Sequence, residues 1–196
     1  MAKKRKLIIL AIIILILVGG GLFYWGQNRE IKGSPEDYVI VETGAGVFVE
    51  NKKAGLTVRV PDGWEVKKID LLEGSVVFYT SDIEGVWKNE MVNPPLTKGC
   101  EIEIGVVYKK MSFEEIKKEI EEIHSILVKS DTFELTTINN RPALKNTFDS
   151  SVFGPGVSVY FPDKNKMYGF DVSWGPEEKE ECIQEFEKFL ETVSID

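Results

Sequence analysis

The sequence predicts an α+β domain of antiparallel strands covered by helices, preceded by one N-terminal transmembrane helix. Three observations predict this fold class. An uncharged apolar run near the N-terminus is long enough to cross a bilayer. Short apolar segments then alternate with turns rich in Gly, Pro, Asn and Asp, as in consecutive antiparallel hairpins. Two later segments carry apolar residues at helical spacing on one face only, so each helix should cover a sheet.

The apolar run begins at Leu7, ends at Trp25 and contains no charge in 19 residues. As a helix it spans roughly 28 Å, close to the hydrocarbon thickness of a bilayer. Residues 3–6 are all basic, which keeps the N-terminus cytoplasmic, while the aromatic end suits the opposite membrane interface. We therefore expect an uncleaved signal-anchor, a single-pass protein of the cell membrane, and a lipid bilayer as the first partner.

This topology divides the chain into four parts. Residues 1–6 form a cytoplasmic basic tail, 7–25 the transmembrane anchor, 26–37 a polar linker and 38–196 an extracytoplasmic domain. The linker contains Gly33 and Pro35, which favour an irregular tether. The alternative to an anchor is a cleaved signal peptide, for which the small residues Gly19 and Gly20 offer only a poor cleavage site.

The charge balance limits the partners of the domain. The basic tail contributes +4 to a net charge of −8, so residues 27–196 carry −12. Nucleic acid is disfavoured as a partner, because its phosphates require basic contacts. The same negative charge disfavours contact between the flat face of the domain and anionic lipid.

The two cysteines, Cys100 and Cys182, allow two interpretations. Outside the cytoplasm they can form a disulfide. Alternatively, both are small buried apolar residues. No Cys or His pair has the spacing of metal ligands, so no metal site is predicted.

Segments that combine β-propensity with apolar or alternating apolar and polar residues define the expected strands. These are residues 38–42, 47–50, 56–60, 64–67, 75–80, 101–108, 132–138, 143–148, 157–161 and 167–174. Trp64 directly follows the turn formed by Pro61, Asp62 and Gly63, and we expect its ring to be largely buried at one end of the core.

Two helices are expected. The first follows a capping box in which Ser112 caps the N-terminus and Glu115 reaches back to it. The only histidine, His124, lies at the edge of its apolar stripe, where a packing role is more common than a catalytic one. Pro176 suits the first turn of the final helix, whose apolar stripe includes Cys182.

Residues 81–99 have no evident period, and loops this long inside a domain are often functional. The segment contains Trp87, Met91, Pro94 and Pro95. Trp and Met are enriched at protein interfaces, and prolines lower the entropy lost on ordering. We expect this segment to be the contact region for a protein partner, with Trp87 as its anchor. The alternative is that Trp87 packs on the sheet.

One segment resembles the opening of PsbP-like domains (the PsbP/DcrB-like family). It runs from Phe48-Val-Glu-Asn51 through Gly55-Leu56 to Pro61-Asp62-Gly63-Trp64, and the apolar helix and short tail at the C-terminus are also similar. The resemblance covers about residues 45–196 and identifies the chain as similar to membrane-anchored bacterial members. It implies an antiparallel sheet sandwiched by helices, and binding or scaffolding without shared catalytic residues.

The sequence predicts no catalytic residue and no cofactor. It contains no Ser-x-x-Lys and no nucleophile elbow. We therefore expect a non-catalytic extracytoplasmic binding or accessory domain that engages an unidentified protein partner. The alternative is a carboxylate-dependent extracytoplasmic hydrolase, because acidic residues are plentiful, although nothing in the sequence selects one pair.

Overall fold

The computed structural model describes residues 33–69, 75–84, 95–150, 152 and 154–196. The predicted anchor and residues 26–32 of the linker lie outside the described residues. Within the described part, no helix is long and apolar enough to span a membrane.

The smaller of two sheets has four strands in the order β1-β2-β3-β11. Its strands are β1 Val39–Thr43, β2 Gly46–Asn51, β3 Leu56–Arg59 and β11 Ser194–Ile195. The larger sheet has seven strands in the order β4-β5-β6-β10-β9-β8-β7. Its strands are β4 Trp64–Ile69, β5 Ser75–Thr80, β6 Cys100–Val107, β7 Val128–Ile138, β8 Arg141–Ser150, β9 Gly154–Asp163 and β10 Lys166–Trp174.

Two helices complete the fold, α1 Phe113–Leu127 and α2 Lys179–Glu191, after a short 3₁₀ turn at Pro35–Asp37. The strand pairs of both sheets are antiparallel. The predicted α+β class is therefore confirmed. The two-residue strand β11 was not predicted, because its pairing with β3 joins segments far apart in sequence.

Local sequence signals determine several element boundaries. Ser112 Oγ accepts the Glu115 backbone N–H, and the Ser112 backbone N–H donates to Glu115 Oε2 at 2.7 Å, so the predicted capping box is confirmed. The β7–β8 hairpin turns on Asn139 and Asn140, both with positive φ, which asparagine tolerates better than most residues. Gly63 also has positive φ (82°), which explains its place in the turn before β4.

The prediction for Pro176 was wrong. Helix α2 begins at Lys179 with Glu178 at its N-cap, so Pro176 lies two residues before the cap and outside the helix. The chain first makes a turn in which the Glu178 N–H donates to the Gly175 carbonyl. The fixed φ of proline suits this turn as well as it suits a first helical turn.

The large sheet is covered on both faces. On one face, α2 and the small sheet share a core centred on Phe78, Phe170 and Phe189, whose side chains are almost completely buried. On the other face, α1 packs Ile116 and Ile120 against Leu144. The sheet is thus sandwiched by helices.

Trp64 is partly buried. Its ring packs against the edge of the main core, directly after the Pro61–Gly63 turn, as predicted, and keeps some contact with solvent. Replacing Trp64 with Ala should therefore cost about 1–2 kcal/mol rather than the 3–5 kcal/mol of a fully buried ring.

Cys100 and Cys182 form a disulfide between the start of β6 and the first turn of α2, with their Cα atoms 5.5 Å apart. Both residues are buried. The bond therefore links the final helix to the middle of the large sheet across a long stretch of chain.

Candidate functional site

The segment expected to contact a partner, residues 81–99, is described only at its two ends. The Glu84 N–H donates to the Lys98 carbonyl at 3.1 Å, and the Thr97 N–H donates to the Glu84 carbonyl at 3.0 Å. An ion pair between Asp82 and Lys98, at 3.1 Å, lies beside them. The Lys98 ammonium group lowers the pKa of the Asp82 carboxyl. The two ends of the segment are therefore held together.

Of the four residues expected to bind a partner, Pro95 lies within the described part, where it is exposed. Trp87, Met91 and Pro94 lie outside the described residues. The neighbouring Leu96 is buried and anchors the end of the segment to the domain. The contact role of this segment stays a prediction.

Strand β1 presents apolar side chains on an open sheet edge. Val39 is 48% exposed and Ile40 is 38% exposed, and among the described strands β1 pairs only with β2, on one side. The unpaired side carries backbone donors and acceptors that another strand can pair with. The arrangement combines apolar side chains with an accessible backbone edge.

The other described sheet edges are protected in ways that proteins commonly use. Strand β4 carries Lys67 and Lys68, and β11 is only two residues long. Strand β7 carries charged residues and a register shift between Val128 and Ser130. In β1 the only charged residue is Glu42. Among the described edges, β1 is the least protected against pairing.

A second surface is a groove of about 360 Å³ between α2 and strands β7–β9. Val157 and Val159 form its apolar floor. Ile183 and Phe186 of α2 and Ile138 of β7 form its apolar walls. Six of its twelve lining residues are polar or charged, so the groove is a mixed surface rather than an apolar pocket.

The margin of this groove carries charges of both signs. Lys145 projects from β8, while Glu187 and Glu191 project from α2 on the other side. Glu134 lies directly opposite Lys145 in the β7–β8 pairing. None of these four side chains forms an ion pair with another described residue. The charged groups of the groove are therefore accessible to a ligand.

His124 belongs to a polar cluster between α1 and the large sheet. Its Nδ1 lies 3.1 Å from Asp131 Oδ2, and since a carboxylate only accepts, this nitrogen is the donor. The Asn146 amide donates to the other oxygen of Asp131. The imidazole also packs on Phe148, with ring centres 5.3 Å apart. His124 thus has the half-buried packing environment that the sequence indicates.

The Asp131 carboxylate should be the main stabilising group of this cluster. Asn146 is fully buried, so Asp131→Ala would leave its amide without an acceptor. We expect Asp131→Ala to lower the free energy of unfolding by about 2–3 kcal/mol, measured by urea titration. Asp149→Ala, at an exposed position on the same hairpin, is the control and should change it by less than about 0.5 kcal/mol. Equal effects of the two substitutions would contradict this role for Asp131.

Two side chains of β10 fix the turn between β2 and β3. Tyr168 Oη and Lys166 Nζ both donate to the Ala54 carbonyl, at 2.6 and 2.8 Å. Burial raises the pKa of Tyr168 to about 12. Burial also raises the pKa of Tyr38, and the neighbouring Asn51 amide offsets part of that rise. The Tyr168 hydrogen bond therefore ties the β2–β3 turn of the small sheet to β10.

Among the described residues, no group of three or more His, Cys, Asp or Glu side chains could hold a metal ion. Near His124 there is a cleft of about 210 Å³ that includes Ser125. The Ser125 hydroxyl donates to the Glu122 carbonyl at 2.9 Å. Its hydrogen bond is thus directed to its own helix.

Sequence reasoning missed both the β1 edge and the groove. A weak signal for β1 was present, because Val39, Ile40 and Val41 form a continuous apolar run where a half-buried strand would alternate. The groove had no such signal, since its lining comes from four elements that meet only in the folded chain.

Comparison with known proteins gives only distant similarities. No protein-family model and no curated protein matches the chain. Among solved structures, the cyanobacterial PsbP protein of Synechocystis matches with a TM-score of 0.47 and 9% identity, covering 82% of this chain and 93% of that one. A Pseudomonas aeruginosa protein of unknown function matches with a TM-score of 0.43 and 8% identity, covering 84% and 99%.

A protein from Bacteroides thetaiotaomicron matches with a TM-score of 0.46 and 15% identity. The match covers 87% of this chain and 49% of the Bacteroides protein, so the present chain spans about half of its length. None of these similarities is high enough to carry an argument about family or activity.

Proposed function

We propose that this protein is a membrane-anchored, extracytoplasmic, non-catalytic binding domain of the PsbP-like type. In this proposal the apolar run from Leu7 to Trp25 is the anchor, and the domain engages an extended segment of a protein partner through β1. The uncharged run, its basic N-terminal flank and the PsbP-like turn residues support the first part. The exposed edge of β1 supports the second.

The binding function is supported mainly by β1, which lies at the edge of the small sheet and has exposed apolar side chains. Val39 and Ile40 are exposed although they lie in a regular strand. An added strand would satisfy the free backbone groups of β1 and cover these two side chains at the same time. The main-chain hydrogen bonds would provide affinity, and the apolar side chains would provide selectivity.

The hydrolase alternative requires two carboxylates that face a bound substrate, one of them kept protonated by an apolar environment. Glu187 and Glu191 both line the groove, which makes them the natural pair. Both side chains are exposed to solvent, so neither has the apolar environment that such a catalytic acid requires. The geometry therefore favours binding over carboxylate catalysis.

Lysine substitutions on β1 test the proposed interface. Val39→Lys combined with Ile40→Lys places two charges on the edge, which opposes pairing with another strand. We expect the doubly substituted protein to lose its cross-linked partner in intact cells. Its unfolding free energy should change by less than about 1 kcal/mol, because both positions are exposed.

Leu135→Lys is the matched control. Leu135 is 65% exposed and also lies on an edge strand, β7. This variant should retain the partner in the same cross-linking assay. Retention by the β1 variant, or equal loss by both variants, would refute the role of β1.

The topology is tested separately by protease accessibility. Because the only basic cluster that flanks the apolar run precedes it, we expect residues 27–196 to be outside the cytoplasm. Protease added to intact spheroplasts should digest this domain while a cytoplasmic marker survives. A domain that is digested only after lysis would contradict the proposed location, whatever the role of β1.

A further inference from the structure

Taking β1 as the binding edge, as proposed above, we infer that its partner segment is a short antiparallel strand. This segment has a basic residue opposite Glu42 and an apolar residue opposite Ile40. Three features of β1 determine this partner: the direction of its backbone groups, the turns that limit its open edge and the charge of Glu42.

Two residues of β1, Ile40 and Glu42, direct their backbone groups away from β2. Val47 lies opposite Glu42 in the β1–β2 pairing, and its carbonyl accepts the Val60 N–H at 2.9 Å on the β3 side. Facing residues of an antiparallel pair either exchange hydrogen bonds or point their backbone groups apart, in alternation. Glu42 therefore points away from β2, and so does Ile40 two residues earlier. An added strand would hydrogen-bond to these two residues.

Turns limit the open edge at both ends. Before β1, the Tyr38 N–H donates to the Pro35 carbonyl at 3.2 Å, so this backbone donor is already used. After β1, the chain turns at Gly44 and Ala45. Strand β1 has five residues between these turns. The paired part of the partner is therefore an extended segment of about the same length.

The side chains of Ile40 and Glu42 share the face of the small sheet that packs on the core. Ile40 lies opposite Val49, which is 1% exposed and belongs to the main core. Facing residues of paired strands project from the same face. Ile40 thus continues a buried apolar row out to the sheet edge. An apolar partner side chain beside Ile40 would extend this row and remove the exposed part of Ile40 from water.

Glu42 favours a cation at the facing position of the partner. Its side chain is exposed, and within the described part of the chain it forms no ion pair and no side-chain hydrogen bond. The cation of β3, Arg59, lies on the opposite face beside Phe48 and pairs with Asp62 at 2.9 Å. Opposite charges on facing residues stabilise a strand pair, and like charges destabilise it. A lysine or arginine opposite Glu42 is therefore the matching residue.

A second copy of this chain does not supply that cation. Strand β1 reads Val-Ile-Val-Glu-Thr and contains no Lys or Arg, so pairing two β1 strands places no cation opposite Glu42. The net charge of −12 on residues 27–196 also opposes the approach of two copies. The same negative charge favours the approach of a basic segment.

The test is an NMR titration of the isotope-labelled full chain in detergent with the peptide acetyl-Thr-Lys-Val-Ile-Val-Thr-amide. Antiparallel pairing places its lysine opposite Glu42 and its isoleucine opposite Ile40. We expect saturable shifts of the Ile40 and Glu42 amide signals. The peptide with glutamate in place of lysine should bind at least about threefold more weakly. In the Glu42→Lys variant, the preference between these two peptides should be reversed.

Methylation of single peptide nitrogens separates strand pairing from other modes of binding. The isoleucine N–H of the peptide faces the Ile40 carbonyl, so a methyl group on this nitrogen should abolish binding. The N–H of the first valine, opposite Val41, points away from β1. A methyl group there should leave binding intact, and it also prevents the peptide from pairing with itself.

The outcomes distinguish the chemistry of the partner from the role of β1. Methylation-sensitive binding with equal affinity for the lysine and glutamate peptides would overturn the charge requirement and leave β1 as the binding edge. Equal binding of the two methylated peptides, or no saturable binding, would overturn the inferred strand pairing. The same amide shifts on raising the protein concentration without peptide would identify a second copy as the occupant and also overturn it. The proposed function itself fails only if the β1 variant retains its cross-linked partner in intact cells or the control loses it equally.

Discussion

Loss of the Cys100–Cys182 disulfide is expected to lower the free energy of unfolding by roughly 4–5 kcal/mol. The bond joins residues separated by 82 positions. On the chain-entropy model, a cross-link that closes a loop of this length strongly restricts the unfolded chain. It also joins α2 to β6 at a site where both cysteines are buried. The measurement is a urea titration of the full chain in detergent with and without reductant.

The control for this experiment is the variant with Cys100→Ala and Cys182→Ala. Reductant should not change its midpoint, and its stability should equal that of the reduced native protein. A loss of less than about 1 kcal/mol on reduction would mean that the bond contributes little beyond the packing of the two sulfurs.

Phe189→Ala is expected to have the second largest effect, about 3–5 kcal/mol. The Phe189 ring is 1% exposed, and its centre lies 5.3 Å from that of Phe78 and 6.2 Å from that of Phe170. The substitution would leave a cavity where α2 meets the large sheet, and the rigid strands could close it only partly.

The matched control is Phe133→Ala, which removes the same ring from a half-buried position on β7. We expect its effect to be at most about half as large, because the position is partly solvated in the folded state. Both variants should be compared by urea titration. Similar losses would show that α2 is not a main contributor to the stability of the core.

Much of the fold could be predicted because its signals are local. The alternation of apolar and polar residues identified the strands, and the capping box of Ser112 and Glu115 identified the start of α1. The register of β11 with β3 could not be predicted, since a strand of two residues has no period of its own. The partial exposure of Trp64 also depends on neighbours that are remote in sequence.

The candidate surfaces were much harder to predict. A strand such as β1 is accessible only because it lies at the end of a sheet, and the order of strands is a property of the whole fold. The groove requires Lys145 on β8 and Glu187 on α2 to face one floor, although they are distant in the chain. The disulfide was one of two interpretations, because the sequence does not state the distance between Cys100 and Cys182.

The proposed contact between the edge of β1 and a partner outside the cytoplasm is tested most directly with a photo-activated cross-linking side chain. The probe is introduced at Ile40 and, in a second protein, at Leu135. Both positions are exposed and lie on edge strands. In intact cells the probe at Ile40 should form a discrete protein adduct, and the probe at Leu135 should not. Absence of an adduct at Ile40, or the same adduct from both positions, would contradict the claim.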